Sequence, residues 1–305
     1  MSGFFIWVRI TPMINKINII GCGYIGKKIA QLLKSQNLNP VCFVSSEKSK
    51  NNLSSMGFQA GQFDLDKNGL ELNDKSKASF KDSTIAYLAP PQRKGIIDIR
   101  MTHFVSMLET LNLPPSKIIL ISTTGVYGDC KGEWIDEQQA TEPQADRARR
   151  RLSAETQLKK YCEKVQVQYV VFRVPGIYAA DKLPIKRISS GESIVNAQDS
   201  GFTNRIHADD LSAFCVEAMV EEVTPGIYNC CDGCPSTMNH YFMKVADAKK
   251  LPRPKEISLQ QAKQELSLGM LSYLAESKRI SNKKLLNNFK TRFKYPDLDA
   301  GLKSL

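Results

Sequence analysis

A glycine motif, Gly-x-Gly-x-x-Gly, spans residues 21–26 of this chain. An apolar segment at 17–20 runs directly into it, and a segment with helical periodicity follows. In this setting the first glycine permits a tight turn, the second lets the backbone approach a pyrophosphate, and the third lets the helix pack closely on the strand. The helix N-terminus would face the phosphates. The alternative is that the glycines serve only the turn. The residues assigned to a dinucleotide here are Gly21, Gly23, Tyr24, Ile25 and Gly26.

The residues after the second apolar segment, 41–44, bear on the choice of cofactor. An acidic residue about 20 positions after the glycines would bond the adenosine ribose of NAD. Here Ser45 and Ser46 stand at that point, and Glu47 comes late and is followed by Lys48. Hydroxyls and cations suit a 2′-phosphate, so the sequence favours NADP(H) over NAD(H). Two alternatives stay open: Glu47 reaches the ribose, or the lysine belongs to a solvated helix start.

Two further segments carry polar groups at strand ends. Asp64 could accept a hydrogen bond from the adenine amino group while Leu65 packs on the ring, although Asp64 could equally cap a helix. The segment at 122–128, Ser-Thr-Thr-Gly-Val-Tyr-Gly, follows the apolar segment at 117–122. Its hydroxyls are expected at the carboxyl edge of the sheet, beside the nicotinamide.

The elements that must position these groups alternate along the chain. Short apolar runs at 17–20, 41–44, 83–88, 117–122 and 167–174 are too uniformly apolar to face water on one side. Amphipathic runs between them predict covering helices. The predicted fold class is α/β: a doubly wound parallel Rossmann sheet with a smaller C-terminal α/β substrate, or cap, domain.

The expected division of the chain has three parts. Residues 1–13 form an N-terminal extension without assigned function, 14–175 form the NAD(P)-binding domain, and 176–305 form a smaller substrate-binding portion interleaved with it. The apolar start lacks the basic flank and cleavage site of a signal peptide, so none is expected.

The composition is that of an ordinary globular protein. The 305 residues are 42% hydrophobic and 24% charged, and no apolar run approaches the roughly 20 residues of a membrane span. Eight cysteines, mostly in apolar segments, suit a reduced protein of the cytoplasm. The Cys230, Cys231, Cys234 and His240 group lacks a second pair at metal-site spacing, so no metal is predicted.

The net charge of +11 permits a polyanionic partner. The lysines are spread along the chain rather than concentrated in one block interleaved with aromatic residues. We therefore expect no nucleic-acid or membrane partner. The charge would instead favour a phosphorylated cofactor and an anionic small-molecule substrate.

Four ordered motifs together resemble the extended short-chain dehydrogenase/reductase family, the NAD(P)-dependent epimerases and dehydratases, in an atypical form. The resemblance covers nearly the whole chain from Ile17. The motifs are the glycine motif, the segment at 122–128, the segment Arg-Val-Pro-Gly-Ile-Tyr at 173–178, and the segment Asn-Arg-Ile-His-Ala-Asp-Asp-Leu at 204–211.

The resemblance implies roles for particular residues. Thr123 falls where the family places the hydroxyl that bonds the reacting substrate oxygen. The family's base is a Tyr four residues before a Lys, and these two positions hold Arg147 and Arg151. An arginine stays protonated, so Arg147 could stabilise an oxyanion or a carboxylate but could not exchange a proton near neutral pH, and Arg151 could still reach the ribose.

Other residues take expected roles from the same resemblance. The further cofactor residues are Ala89, Pro90, Ser122 and Pro175, and the substrate residues are Thr124, Tyr127, Arg205 and His207. For His207 the alternative is a structural core histidine. The expected function is that of an epimerase/dehydratase-like or reductase-like protein with an atypical active site. The alternative is a non-catalytic NADP(H)-binding redox sensor, and a homodimer is left open.

Overall fold

The computed structural model describes residues 16–67, 74–112, 114–266, 271 and 274–304, so the expected N-terminal extension lies outside the described residues. The strands in chain order are β1 (Ile17–Ile20), β2 (Val41–Val44), β3 (Gln59–Gln62), β4 (Thr84–Tyr87), β5 (Lys117–Thr123), β6 (Trp134–Ile135), β7 (Gln168–Val174), β8 (Gly176–Tyr178), β9 (Ile194–Val195), β10 (Phe202–Thr203), β11 (Arg205–His207), β12 (Gly226–Asn229), β13 (Ser236–Thr237), β14 (Glu256–Ile257) and β15 (Arg279–Ile280).

Helices lie between these strands. They are α1 (Tyr24–Ser35), α2 (Glu47–Ser55), α3 (Asp74–Phe80), α4 (Ile99–Leu111), α5 (Asp146–Val165), α6 (Ile185–Ser189), α7 (Ala208–Val220), α8 (Met238–Ala248), α9 (Leu259–Glu265), α10 (Lys283–Asn288) and α11 (Leu298–Lys303). Across the described ranges, none of the helices has the length and hydropathy to cross a lipid bilayer.

A seven-stranded parallel sheet forms the centre of the described chain. Its strand order is β12-β7-β5-β4-β1-β2-β3. The apolar sides of α1, α2 and α7 pack on one face, and those of α3, α4 and α5 pack on the other. Both faces are thus covered, which is why the central strands consist mainly of apolar residues; Asn18 on β1 is a buried polar exception. Because all strands are parallel, their carboxyl ends meet at one edge, where doubly wound folds bind ligands.

The predicted α/β class and its Rossmann sheet are confirmed, and two strands differ in detail from the expectation. The polar segment at 59–62 forms an edge strand, where one side needs no apolar cover. At Gly61 a Cβ would lie 2.6 Å from the ring of Phe43, so only glycine fits there. The segment at 226–229, expected in the smaller portion, pairs with β7 in the main sheet because Tyr228 packs on Phe172 and Phe289.

A smaller apolar cluster lies in the second half of the chain. Its buried residues come from β8, α6, α8 and α11, with Tyr178 and Phe242 among the largest. Within this half β11 pairs with β8, and β15 joins the half to the segment that follows β5 by pairing with β6. This half therefore stands over the carboxyl edge of the sheet.

Candidate functional site

The turn between β1 and α1 has the geometry that the glycine motif predicts. Gly21 has φ +81°, and a Cβ there would lie 2.6 Å from the backbone of Ala89. At Gly26 a Cβ would lie 3.2 Å from side chains of Ile19 and Leu88. Around Gly23, the N-cap residue of α1, a Cβ would meet only the Gly21 carbonyl at 3.9 Å. The first turn of α1 has no side-chain cap, so its N–H groups suit an anion.

A pocket of about 320 Å³ opens beside this turn. Its lining includes the predicted residues Gly21, Gly23, Ser45, Asp64, Leu65, Ala89 and Pro90. It also includes polar residues that sequence reasoning missed, namely Lys27, Ser49, Asn52, Asp66 and Arg100. The residues fit a dinucleotide, because a tight glycine turn, an uncapped helix start and a hydroxyl-lined pocket occur together.

The three residues predicted to bind a 2′-phosphate, Ser45, Ser46 and Lys48, do not all lie at this pocket. Ser45 lines the pocket, whereas Ser46 and Lys48 are outside its lining. Ser46 caps α2 by accepting from the Ser49 backbone N–H at 3.3 Å. Lys27 and Arg100 are the cations in the lining of this pocket, and Lys27 directly follows the last glycine of the motif. Its position directly after the glycine motif is the sequence feature that could have identified Lys27 as a pocket residue.

The far wall of the pocket is built around an ion pair. Arg100 donates to both carboxylate oxygens of Asp66 at 2.6 Å and to the Pro90 carbonyl at 2.8 Å. Asp64 accepts from the backbone N–H of Asp66 at 3.1 Å, so its carboxylate forms a local turn rather than a helix cap. Leu65 is buried, as ring packing would require.

A second cavity, of about 450 Å³, lies between the sheet edge and the second half of the chain. It is lined by the predicted Thr123, Thr124, Arg147, Arg151, Pro175 and Arg205. Its further polar and aromatic lining comprises Tyr178, Phe202, Thr203, Asn204, Tyr241, Glu276 and Lys278. Pro91 lines this cavity while Ala89 and Pro90 line the first pocket, so the segment after β4 separates the two.

Thr123 and the two arginines enter the cavity from neighbouring elements. Thr123 ends β5, and its Oγ1 accepts from the Gly125 N–H at 3.2 Å, which leaves its hydroxyl hydrogen for another acceptor. Arg147 and Arg151 lie one helical turn apart on α5 and face the same cavity. Arg151 donates to the Ala89 carbonyl at 3.1 Å. Burial lowers the pKa of its guanidinium.

The opposite wall carries a buried cation. Arg205 donates to Ser236 Oγ at 2.7 Å and Thr203 Oγ1 at 2.9 Å, and its guanidinium stacks 4.3 Å from the Tyr241 ring. Burial lowers the pKa of Arg205 to about 10. Its side-chain partners here are hydroxyls and a ring, so an anion entering the cavity would stabilise its charge.

An ion pair completes the wall. Lys278 donates to Glu276 Oε2 at 2.6 Å and also to the Gly128 carbonyl. Both side chains are mostly buried, yet both line the cavity. Glu276, Lys278 and Tyr241 are far from Thr123 in the sequence, and their spacing gave no signal of a shared site. With two α5 arginines and Arg205 on the wall, cations outnumber the carboxylate.

Eight predicted site residues lie outside the lining of both spaces, and three of them, Gly26, Ser46 and Lys48, are described above. Ser122 is buried and donates to Glu155 Oε1. Tyr127 is buried, donates to Asn229 Oδ1 at 2.8 Å and has its pKa raised by burial to about 12. His207 caps α7 by accepting from Asp209 N, and its ring packs on Tyr178 and Tyr295, as the core-histidine alternative proposed.

The other two are the interior residues of the glycine motif. Tyr24 turns toward the second half of the chain and donates to Asp181 Oδ1 at 2.6 Å. Ile25 packs against the apolar core under α1. Their contact with a cofactor remains a prediction.

The cysteine group has a simple placement. Cys230 and Cys231 are fully buried and Cys234 is exposed. Within the described part of the chain, no three His, Cys, Asp or Glu residues are grouped so that they could hold a metal ion.

Comparison with solved structures places the fold among known proteins. A conserved protein of unknown function from Silicibacter pomeroyi is 23% identical, with a TM-score of 0.81 over 95% of this chain and 98% of that one. UDP-glucose 4-epimerase from Thermotoga maritima, solved with UDP-glucose, is 16% identical with a TM-score of 0.72, over 94% and 96% of the chains. The Thermus thermophilus UDP-glucose 4-epimerase, in complex with NAD, is 18% identical with a TM-score of 0.70 and the same coverage.

Sequence comparison gives the family. No curated protein sequence matches the chain significantly. The model of the NAD dependent epimerase/dehydratase family matches residues 17–231, which include the glycine turn, β5, α5 and Arg205. The predicted resemblance is confirmed, and the chain belongs to the NAD dependent epimerase/dehydratase family.

Proposed function

We propose that this protein is an NADP(H)-dependent, reductase-like or epimerase/dehydratase-like enzyme of the cytoplasm that acts on an anionic small molecule. The observation that carries the proposal is the single cavity shared by Thr123, Arg147 and Arg151, next to the dinucleotide pocket. Arg205 and Lys278 on the opposite wall support an anionic substrate. The negative charge of such a substrate would balance the buried positive charge of the cavity.

The proposed chemistry assigns distinct tasks to the residues of the cavity. When bound, the nicotinamide supplies or accepts a hydride at a carbonyl or carbinol carbon of the substrate. The Thr123 hydroxyl donates to the reacting oxygen and polarises it. Arg147 holds an anionic group or a developing oxyanion, and Arg151 holds the ribose. Water or the Glu276–Lys278 pair supplies the proton when a carbonyl is reduced and accepts it when a carbinol is oxidised, because arginine stays protonated.

The first prediction concerns the cofactor. We expect NADPH to bind more tightly than NADH, because Ser45 and Lys27 line the pocket where a 2′-phosphate would lie. Ser45→Asp should invert this preference by placing a carboxylate that accepts from ribose hydroxyls and repels phosphate. Titration with each reduced cofactor, followed by nicotinamide fluorescence, measures both affinities. Lys48→Ala is the control and should change neither, and an unchanged preference in Ser45→Asp would contradict the assignment.

The second prediction concerns turnover. A screen of anionic carbonyl compounds and sugar nucleotides, followed by nicotinamide absorbance, should find an activity that Thr123→Ala lowers about 100-fold, as loss of one positioned donor to a reacting oxygen does. Thr123→Ser keeps the hydroxyl and is the matched control. Arg147→Ala should raise KM for the anionic substrate more than Arg147→Lys does. Activity that survives Thr123→Ala together with Arg147→Ala would overturn these roles.

One observation favours a different function. Both positions of the family's Tyr and Lys carry arginines, which cannot exchange protons near neutral pH. A protein that binds NADP(H) and signals its redox state to a partner would need no proton transfer. Under this alternative, NADPH binds with the same preference, the screen finds no oxidation of it, and a partner protein co-purifies.

A further inference from the structure

The cavity of about 450 Å³ has more positive than negative charge in its lining. Its described lining includes Arg147, Arg151, Arg205 and Lys278. Among these described residues the only carboxylate is that of Glu276, which accepts from Lys278 at 2.6 Å. This pair accounts for the lysine and for the carboxylate. The lining therefore holds no further carboxylate for the arginines.

Arg205 is the most buried of these cations, at 4% exposed. In the described chain its hydrogen bonds go to the hydroxyls of Thr203 and Ser236 and to the Thr237 carbonyl. Its Nε–H bonds no group there, because a guanidinium has more donors than these bonds use. Asp232 acts on it electrostatically, but that carboxylate accepts from a backbone N–H instead. Since charged side chains are rarely this buried without an ion-pair partner, Arg205 suits an anion that enters the cavity.

The strand register places Thr123 between the arginines of α5 and Arg205. Thr123 pairs with Val174 across β5 and β7, and Arg205 pairs with Gly176 across β11 and β8. Val174 and Gly176 are two residues apart, about 6.6 Å of extended chain. On the other side of β5 lies β4, and Arg151 bonds a carbonyl in the segment just after it. Arg205 is thus attached on the β7 side of Thr123, and Arg151 on the β4 side.

Helix α5 brings a second arginine to the same place. The helix packs on the turn that follows Thr123, since a Cβ at Gly125 would lie 3.5 Å from the Cβ of Ala148. Arg147 directly precedes Ala148 and lines the cavity. A substrate held at Thr123 therefore meets cations from two directions, Arg147 from α5 and Arg205 from β11.

We propose that the substrate carries an anionic group at each end, a carboxylate or a phosphate, with the reacting carbon between them. One group binds Arg147 and the other binds Arg205, so that the central carbinol or carbonyl oxygen lies at the Thr123 hydroxyl. The inference rests on the proposed function of this cavity and narrows its substrate from an anion to a dianion with separated charges. Arg205 determines specificity and takes no part in proton transfer.

The length of the substrate then becomes a property that the cavity can select. A molecule whose two anionic groups have the right separation bonds both guanidinium groups at once. A shorter molecule, or a singly charged one, leaves one guanidinium without an anion. Because hydrogen bonds between charged groups are strong, losing one end should cost about 10-fold to 100-fold in affinity. The cavity should therefore prefer dianions over monoanions, and one length over its neighbours.

The test is a calorimetric titration of the full chain with the unbranched dicarboxylates from succinate to suberate, with hexanoate as the singly charged counterpart of adipate. We expect the Kd of the dicarboxylates to pass through a minimum along the series, at least about 10-fold below the Kd of hexanoate. Arg205→Gln should weaken the best dicarboxylate about 10-fold to 100-fold and remove the length preference. Arg147→Gln should have the same effect from the other end.

A matched variant controls for the loss of one positive charge. The Arg253 side chain is 67% exposed, pairs with Asp247 and lies outside the cavity lining, so Arg253→Gln should leave the whole series unchanged. Thermal unfolding shows whether each variant is folded. If Arg205→Gln does not fold, Arg147→Gln tests the same inference, because Arg147 is only half-buried.

The outcomes separate this inference from the proposed function. A length optimum that the folded cavity variants abolish and Arg253→Gln retains supports the inference. Absence of binding, equal affinities for adipate and hexanoate, or an unchanged optimum in the cavity variants would overturn it, and NADPH binding would still support the proposed function. Failure to bind NADPH with a retained length optimum would instead overturn the proposed reaction and leave the preference for a dianion in place.

Discussion

Replacement of Gly23 by aspartate is expected to weaken NADPH binding at least about 100-fold while the fold remains intact. The carboxylate would lie at the start of α1, where the backbone N–H groups are left for a phosphate, so one anion would repel another. A 100-fold loss corresponds to about 2.7 kcal/mol of binding free energy. Fluorescence titration with NADPH measures the loss.

The structure separates this effect from misfolding. A Cβ at Gly23 would meet only the Gly21 carbonyl at 3.9 Å, whereas a Cβ at Gly21 would lie 2.6 Å from the Ala89 backbone. Gly23→Asp should therefore unfold at nearly the same temperature as the unmodified protein, and Gly21→Asp should not. Retained NADPH affinity in Gly23→Asp would remove the dinucleotide site from this pocket.

Replacement of Glu155 by alanine is expected to lower the free energy of unfolding by about 3–5 kcal/mol, the cost of leaving a buried partner charge unpaired. Glu155 and Arg173 are both about 5% exposed and their side chains meet at 2.8 Å. Ser122 donates to the same carboxylate, and Arg173 stacks 4.7 Å from the Tyr127 ring. Urea unfolding followed by circular dichroism measures the change.

Two control variants test the cause. Glu163→Ala removes a carboxylate from the same helix, but its pair with Lys159 is exposed and 3.7 Å long, so the unfolding midpoint should hardly move. Glu155→Leu combined with Arg173→Met replaces the buried pair by apolar side chains and should recover much of the loss. If Glu155→Ala costs no more than Glu163→Ala, the buried pair does not stabilise the fold as inferred.

The fold was predictable where local pattern and burial agree. The mainly apolar segments at 17–20 and 41–44 form strands with those bounds, because strands covered on both faces bury mostly apolar side chains. The polar edge strand at 59–62 and the late strand at 226–229 do not follow from local pattern. Their places depend on partners distant in sequence, Phe43 for the first and β7 for the second.

The site was predictable where a motif carries its own backbone geometry. Gly21 and Thr123 lie at strand ends, so their place at the carboxyl edge follows from the sheet. The positions of Arg100 and Lys278 do not follow from the sheet, because each residue reaches its place through a tertiary contact. Arg100 bonds Asp66, and Lys278 bonds the Gly128 carbonyl. Ser122 shows the converse: period-two alternation turns it away from the cavity that its neighbour Thr123 lines.

The late arrival of β12 in the main sheet has a consequence for biosynthesis. The sheet's outer strand and α7, which packs on α1, are translated after the cofactor-binding strands. A nascent chain that ends near Pro175 would leave the sheet edge at β7 unpaired and Phe172 exposed, a surface that chaperones recognise and that promotes aggregation. The sheet can therefore be completed only after the chain has been synthesised as far as β12.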